Sequence, residues 1–290
     1  ISNEEAEELI LFLQQELGNE LVSFYPGVSY RHLLKVKGGN KKLKCTPPHD
    51  VPGTPSADVM IKAVDAEANE TADLLNDLIL RSQALLENHP VNLKRAAEGK
   101  DKANSIWPWS PGYKPAMKTL QELYGIKSGT VISAVDLIRG IGVYAGLKVV
   151  LVEGATGLYN TNYEGKAEAA IEALKTDDFV YLHIEASDEA GHEGDVDLKI
   201  NTIEYLDYRI VKPVFEAVSK WDEPVTIAIL PDHPTPCALR THTMDPVPFI
   251  IYRPGETGDE VQVYDEFACR KGSYGELREM EFMQHFMLDK

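Results

Sequence analysis

The stretch GTVISAVDLIRGIGVYAGLKVVLVEG, residues 129–154, decides the fold. It places two runs rich in Val and Ile on either side of DLIRGIGVYAG, which has the length of a short helix. Strands separated by helices of this length favour parallel pairing, because the crossover helix returns the chain to the same end of the sheet. The sequence therefore predicts an α/β fold here.

The same alternation continues to residue 252. Strand-like runs recur at DFVYLHIEA, VTIAIL and PVPFIIY, and helix-like runs at NYEGKAEAAIEALK and DLKINTIEYLDYRIVKPVFEAVSK. Alternating strands and helices are typical of a mainly parallel sheet with helices on both faces. We predict such a sheet for the domain formed by residues 106–290.

Residues 1–105 have a different rhythm and predict a smaller α+β domain. They open with SNEE, in which Ser2 and Glu5 have the spacing of a helix capping box, and Gly18 is placed to end that helix. Short strand-like pieces, a proline-rich loop and the amphipathic run NETADLLNDLILRSQALLENH follow. We therefore predict a domain boundary near residue 105.

The composition argues against several classes of partner. The 290 residues include 46 acidic and 29 basic side chains, and the net charge of −17 repels phosphate backbones and anionic membranes. Apolar runs fall short of the roughly 20 residues that a membrane helix needs. The three cysteines, odd in number and widely spaced, fit neither a disulfide framework nor a CxxC metal site. We predict a cytoplasmic protein that binds neither nucleic acid nor membranes, and its oligomeric state stays open.

Polar side chains follow two of the predicted strands. Asp188 and His192 come after YLHIEA, Asp232 and His233 come after VTIAIL, and His242 lies in the loop that follows. In open α/β sheets, ligands bind beyond the carboxyl ends of the strands. We therefore expect these five side chains to converge at one edge of the sheet.

This set of residue types predicts a metal centre. Carboxylates and imidazoles are ligands of Mn²⁺ and Zn²⁺, and five ligands exceed what one tetrahedral site would use. Two ions that share them would be suited to clamp the attacking and leaving oxygens of a phosphoryl transfer. Taken singly, each motif is more typical of a capping Asp beside a surface His; their joint occurrence favours the metal interpretation.

These motifs also resemble a known family. SDEAGHEGD, PDHPTP and THTMDPVPFIIY, with GTVISAVDLIRGIG and TNYEGKAEAAIEAL before them, are similar to the archaeal-type, cofactor-independent phosphoglycerate mutases of the alkaline-phosphatase superfamily. The resemblance extends over essentially the whole chain. It implies an alkaline-phosphatase-like fold and conversion of 3-phosphoglycerate, a small phosphorylated hydroxy acid, to 2-phosphoglycerate through a phospho-enzyme.

The resemblance also implies a ligand set and cofactors. One ion would be held by Asp188, His192 and His242, and the second by Asp232 and His233. Mn²⁺ or Zn²⁺ is expected, with Mg²⁺ or Co²⁺ as alternatives, and 2,3-bisphosphoglycerate is not expected as a cofactor. Residues 1–105 would form an inserted substrate-handling domain, and residues 106–290 the C-terminal part of the metal-binding domain.

One feature of the family has no counterpart in this sequence. Family members begin with a strand that carries a further metal-binding Asp, followed by a Ser or Thr nucleophile, and neither precedes Ile1. The nucleophile is therefore expected upstream of Ile1, and its identity stays open. On this interpretation, the 290-residue chain expressed alone would lack mutase and phosphatase activity.

Two short motifs in the first domain are candidates for substrate binding. Arg31 and His32 in YRHLL, and His49 and Asp50 in TPPHD, correspond to RH and PHD motifs that face the cleft in the similar family. Such groups could bind the phosphate and the carboxylate of the substrate. The alternative is structural: an Arg at a solvated strand edge, and a His-Asp pair that holds a proline-rich loop in place.

Other functions remain open at this stage. The same scaffold serves phosphatases, sulfatases and proposed kinases of small alcohols such as homoserine, and the five ligand candidates do not distinguish among them. If the chain is complete at Ile1, an inactive binding module that retains a metal site is a further alternative.

Overall fold

The computed structural model describes residues 1–288, except for the side chains of His49 and Leu288. The chain divides into two compact units, Ile1–Lys114 and Pro115–Lys290. None of the helices in the described part of the chain combines the length and the hydropathy needed to cross a bilayer.

The first unit combines helices with short antiparallel strand pairs. Its elements are α1 (Asn3–Leu17), β1 (Val22–Tyr25), β2 (Leu33–Val36), β3 (Leu43–Lys44), β4 (Lys62–Ala63), α2 (Asn69–Leu86) and α3 (Pro90–Ala97), with 3₁₀ turns at Pro48–Asp50, Ser56–Val59 and Ala66–Ala68. Strand β1 pairs with β2, and β3 pairs with β4. The predicted α+β character of this part is confirmed.

The first helix begins and ends where its sequence predicts. Ser2 Oγ accepts the amide of Glu5 at 3.2 Å, and Glu5 Oε2 accepts the amide of Ser2 at 3.1 Å, which completes the capping box. The Gly18 amide donates to the carbonyl of Gln14 and ends the helix. The apolar faces of α1 and α2 pack with β1 in one buried cluster that includes Leu9, Leu13, Val22, Leu75, Leu78 and Ile79. Burial of each large side chain of this kind contributes about 1.5–3 kcal/mol.

The stretch after residue 100 packs onto the first unit. The amide of Ile106 donates to Ser82 Oγ at 3.0 Å, and Trp107 Nε1 donates to the carbonyl of Thr46 at 2.8 Å. Ile106 and Trp107 also pack against the apolar cluster of this unit. These contacts explain why the first compact unit extends beyond the boundary predicted near residue 105.

The second unit contains the predicted parallel sheet. Its elements are α4 (Leu120–Tyr124), β5 (Gly129–Ile132), α5 (Asp136–Tyr144), β6 (Lys148–Val150), α6 (Tyr163–Leu174), β7 (Phe179–Leu182), α7 (Ala186–Glu193), α8 (Val196–Tyr205), α9 (Lys212–Val218), β8 (Ile227–Ile229), β9 (Ile250–Tyr252) and α10 (Glu281–Leu288). Strands β6, β5 and β7 are parallel and lie in that order. The α/β prediction is confirmed, whereas β8 and β9 form a separate antiparallel pair.

Strand β5 is the centre of the sheet, and all four of its residues are buried. Helix α5 packs closely on this strand at Gly142, where a side chain would not fit: a Cβ there would lie 2.5 Å from Val131 Cγ1. The parallel order brings the carboxyl ends of β5 and β7 to the same edge of the sheet, which is the edge where the predicted ligands follow β7.

The prediction of a single long helix over residues 197–220 is wrong in one respect. Helices α8 and α9 are joined by a π-helical turn, Leu206–Val211. Pro213 lies in the first turn of α9. Proline has no amide hydrogen, and its ring clashes with the carbonyl four residues earlier, so a widened turn before it relieves the clash.

Candidate metal centre

The elements of the second unit carry all five predicted metal ligands. Asp188 and His192 lie four residues apart on α7, which places them on one face of the helix that follows β7. Asp232 and His233 follow β8, and His242 lies in the loop between β8 and β9. Residues about 50 positions apart in the chain are thereby brought into contact.

Asp188 lies at the centre of this group. Its Oδ2 is 3.2 Å from His192 Nε2, and its Oδ1 is 3.4 Å from His242 Nε2 and 3.9 Å from His233 Nδ1. His233 Nε2 is in turn 3.3 Å from Asp232 Oδ2. The two sequence motifs therefore form one continuous cluster, while the ligand role of its members stays a prediction.

The imidazoles contact one another directly. His192 Nε2 and His242 Nε2 are 3.0 Å apart, and the ring centroids of His233 and His242 are 3.7 Å apart. Asp188, His233 and His242 offer ligand atoms that all lie within 4.8 Å of one another. This group of three combines residues that the sequence assigned to different ions, so the structure places the two predicted ligand sets side by side.

A backbone carbonyl determines which nitrogen of His192 carries the proton. His192 Nδ1 lies 3.0 Å from the carbonyl oxygen of Arg240. A carbonyl can only accept, so Nδ1 must donate, and neutral His192 then has its lone pair on Nε2. That lone pair points toward Asp188 and His242. Arg240 itself has φ of 55°, a conformation that costs energy in a non-glycine residue.

The donor set fits a divalent cation. At most one proton can lie between the two Nε2 atoms of His192 and His242, and carboxylate oxygens of Asp188 face both rings. Lone pairs and negative charge thus converge on a small volume, which a cation would neutralise. His242 remains half exposed, and Asp188 is 19% exposed, so the cluster is open to small molecules.

Sequence reasoning missed a second group of carboxylates. Glu185, Asp188 and Glu189 have carboxylate oxygens within 4.8 Å of one another. Burial, followed by the charges of Asp188 and Asp232, raises the pKa of Glu185. His183 Nε2 lies 3.2 Å from Glu185 Oε2, and its Nδ1 lies 3.2 Å from Ser133 Oγ. The sequence contained a signal for Glu185, since this residue follows the same strand as Asp188.

Lys166 was also missed. It is 1% exposed, and its Nζ donates to the carbonyl of Thr156 at 3.3 Å. Burial lowers the pKa of Lys166 to about 8, and the charge of Glu185 acts in the opposite direction. The sequence signal is its position on the buried stripe of α6, between Tyr163 and Ala170.

The substrate-binding candidates lie in the first unit. Arg31 and His32 lie between β1 and β2; Arg31 is exposed with its guanidinium near the Tyr30 ring, and His32 Nδ1 accepts the Gly27 amide at 3.1 Å. Burial lowers the pKa of His32. Asp50 is exposed in the 3₁₀ turn that also contains His49, whose side chain lies outside the described part of the structure. Substrate binding by these four residues stays a prediction.

Comparison with known proteins gives a family match and several similar enzymes. The sequence model of the metalloenzyme superfamily matches residues 29–290. A 2,3-bisphosphoglycerate-independent phosphoglycerate mutase from Methanosarcina acetivorans is 54% identical over 278 residues, which is 95% of this chain and 68% of that protein. A probable enzyme of the same name from Geobacter sulfurreducens is 46% identical over 293 residues, which is 100% of this chain and 71% of that protein.

Solved structures share the fold of this chain, and one of them is a phosphoglycerate mutase by its title. The PH0037 protein from Pyrococcus horikoshii superposes with a TM-score of 0.80 at 28% identity and covers 99% of this chain and 69% of its own. The cofactor-independent phosphoglycerate mutase from Thermoplasma acidophilum superposes with a TM-score of 0.63 at 26% identity and covers 96% of this chain and 67% of its own. The family model and the similarity to these relatives lead to one conclusion. The chain belongs to the 2,3-bisphosphoglycerate-independent phosphoglycerate mutases of the metalloenzyme superfamily.

Proposed function

We propose that this protein acts in the metal-dependent interconversion of 3-phosphoglycerate and 2-phosphoglycerate, through a phospho-enzyme and without 2,3-bisphosphoglycerate. The observation that carries the proposal is the convergence of Asp188, His192, His233 and His242 within contact distance, with Asp232 beside His233. The two relatives named above are a 2,3-bisphosphoglycerate-independent phosphoglycerate mutase and a probable one, by their names.

Two divalent ions, Mn²⁺ or Zn²⁺, are the proposed occupants of the cluster. When bound, they would supply positive charge to the oxygens of the transferring phosphoryl group. Asp188 would be a ligand of the ion held with His192 and His242, whose Nε2 atoms face its carboxylate. The carbonyl of Arg240 keeps the Nε2 lone pair of His192 available by accepting the proton on Nδ1.

The chain's own residues would hold the rest of the substrate. A phosphoglycerate carries a carboxylate that the ions do not neutralise, and Arg31, His32, His49 and Asp50 are the proposed partners for this part of the substrate. Arg31 offers a planar fork of donors that matches a carboxylate or a phosphate.

The cellular compartment of the protein follows from the same proposal. The interconversion is a step of glycolysis, and the three cysteines Cys45, Cys237 and Cys269 are free thiols, as a reducing compartment allows. We propose the cytoplasm.

The test is an assay of 3-phosphoglycerate conversion with no 2,3-bisphosphoglycerate present. It is run on the product of the complete reading frame and, in parallel, on residues 1–290. Phosphorus NMR follows the two esters, with Mn²⁺ present or removed by a chelator. We expect the product of the complete reading frame to convert 3-phosphoglycerate. This conversion should be lost on chelation, restored by Mn²⁺ and strongly reduced in Asp232→Asn.

A matched control is Asp222→Asn, which changes an exposed carboxylate outside the cluster and should leave the rate unchanged. A requirement for added 2,3-bisphosphoglycerate, or full activity of Asp232→Asn after chelation and metal titration, would overturn the proposal.

A further inference from the structure

A buried threonine lies between the two predicted ligand sets. Thr235, in the loop between β8 and β9, is only 4% exposed. Its hydroxyl contacts Asp188 Oδ1 and lies 3.3 Å from His233 Nδ1. A single side-chain oxygen thus joins a carboxylate assigned to one ion with an imidazole assigned to the other.

The direction of these hydrogen bonds follows from their chemistry. An ionised carboxylate can only accept a hydrogen bond, so the Thr235 hydroxyl is the donor in its contact with Asp188. The hydroxyl oxygen then has lone pairs left for His233, and His233 Nδ1 must be the donor in that contact. Neutral His233 therefore has its proton on Nδ1 and its lone pair on Nε2.

The lone pair so defined faces the second predicted ligand. His233 Nε2 lies 3.3 Å from Asp232 Oδ2, while Asp232 Oδ1 accepts the amide of His233 at 3.0 Å. Two acceptor atoms, an imidazole nitrogen and a carboxylate oxygen, thus face each other at a distance that a cation could bridge. Without a partner for Nδ1, His233 would be free to adopt the other tautomer, and Nε2 would carry a hydrogen.

His192 shows the same arrangement with a different acceptor. There the carbonyl of Arg240 accepts from Nδ1 and leaves Nε2 for the cluster. Metal-binding histidines commonly donate the second ring N–H in this way, which fixes both the tautomer and the ring orientation. The Thr235 hydroxyl gives His233 a hydrogen-bond acceptor for its Nδ1–H, as a backbone carbonyl does for His192. The same hydroxyl also orients Asp188.

The backbone of Thr235 is held in place by two helices. Lys199 Nζ on α8 donates to the carbonyl of Thr235 at 2.5 Å. Gly191 on α7 allows the close approach, since a Cβ at that position would lie 2.3 Å from the same carbonyl oxygen. The backbone position of Thr235 is therefore fixed independently of the contacts that its hydroxyl makes within the cluster.

We propose that Thr235 is a positioning residue of the metal centre: its hydroxyl orients the Asp188 carboxylate and holds His233 in the tautomer that presents Nε2 to the ion beside Asp232. This inference rests on the proposed metal centre. It goes beyond that proposal because it assigns a role to a residue that binds neither ion nor substrate.

The test compares Thr235→Val and Thr235→Ser with wild type. Valine keeps the shape and removes the hydroxyl, and serine restores it. Calorimetric titration with Mn²⁺ and Zn²⁺ measures affinity, and nitrogen NMR of the imidazoles in metal-free protein reports the tautomer of His233. We expect Thr235→Val to weaken binding by about 10–100-fold, the range seen for outer-shell partners of metal ligands. Thr235→Ser should stay within about 3-fold of wild type.

A matched control is Thr130→Val. Thr130 is also buried, and its hydroxyl donates to the carboxylate of Asp177 at 2.5 Å, at the other end of the sheet. We expect this variant to lose stability and to keep its metal affinity and the His233 tautomer.

Each result bears on a different claim. A wild-type protein that binds no divalent ion would overturn the proposed metal centre itself. If wild type binds ions, unchanged affinity in Thr235→Val, or equal losses in Thr235→Val and Thr235→Ser, would overturn the role of the hydroxyl. If Thr235→Val does not fold, wild type still decides the matter: a hydrogen on His233 Nε2 in the metal-free protein contradicts the proposal.

Discussion

Asp177 and Asp188 lie at opposite ends of β7 and have opposite surroundings. Asp177 precedes the strand, its side chain is 3% exposed, and both of its oxygens have donors: Lys148 Nζ at 2.8 Å and Thr130 Oγ1 at 2.5 Å. Asp188 follows the strand and faces three imidazoles, one of which has a lone pair directed at it. The first carboxylate is neutralised within the protein, whereas the second is a proposed ligand of a cation.

This difference separates stability from function. A carboxylate with all its partners supplied by the chain contributes to folding, and breaking such a pair leaves a buried group unsatisfied. A carboxylate that faces imidazoles contributes less to folding and, on the proposal above, retains affinity for an added ion. We expect substitutions at the two ends of β7 to affect different measurements.

The largest expected effect is that of Asp188→Asn on metal binding. Asp188 contacts His192, His233 and His242, and the substitution removes the negative charge at their centre. Affinity for Mn²⁺ or Zn²⁺ should fall by more than about 100-fold, beyond the range for outer-shell partners. Isothermal titration calorimetry measures it. Two ions bound with wild-type affinity would contradict the central place of Asp188.

The reciprocal variant, Asp177→Asn, should affect stability. The amide presents a donor to either Lys148 or Thr130, which are both donors themselves, so one hydrogen bond of a buried group is lost. We expect the free energy of unfolding to fall by about 2 kcal/mol, measured by urea denaturation, with metal affinity unchanged. Weakened metal binding in this variant would show that the two ends of the strand are coupled.

A smaller effect is the pH dependence of the same pair. Burial alone would raise the pKa of Asp177, but hydrogen bonds from Lys148 and Thr130 hold that pKa below its ordinary value of 3.8. A carboxyl with a lower pKa in the folded chain stabilises the fold above its unfolded pKa, and this contribution is lost as the pH falls through the folded pKa. The stability difference between wild type and Asp177→Asn should therefore shrink as the pH is lowered from about 6 to about 3. A difference that stays constant over this range would exclude Asp177 as the group responsible.

The grouping of the candidate ligands could be predicted because its signals are local. Asp188 and His192 have helical spacing, and a strand that ends in a polar motif identifies the edge of an α/β sheet where ligands bind. The capping box at Ser2 and the glycine stop at Gly18 are equally local, and the structure contains both. The π-helical turn was missed because its cause, Pro213, lies within a run whose periodicity is otherwise helical.

The residues that support the predicted ligands were harder to predict. Thr235 and the carbonyl of Arg240 have no distinctive spacing relative to the histidines they contact. Lys166 and Glu185 resemble ordinary charged surface residues until their burial is known. The role of each residue depends on a contact with a residue that is distant in the chain. The periodicity of the sequence carries no information about such contacts.

The sequence by itself determined the alternation of strands and helices and the kinds of side chain that follow each strand, because these depend on short-range periodicity and capping. Only the tertiary structure decided that His192 and His242 meet at 3.0 Å. It also decided that the Arg240 carbonyl and the Thr235 hydroxyl lie within hydrogen-bond distance of the Nδ1 atoms of His192 and His233. The physical reason is that a proton's position on an imidazole depends on which acceptor lies within about 3 Å of each ring nitrogen. That distance results from packing α7 against the loop between β8 and β9.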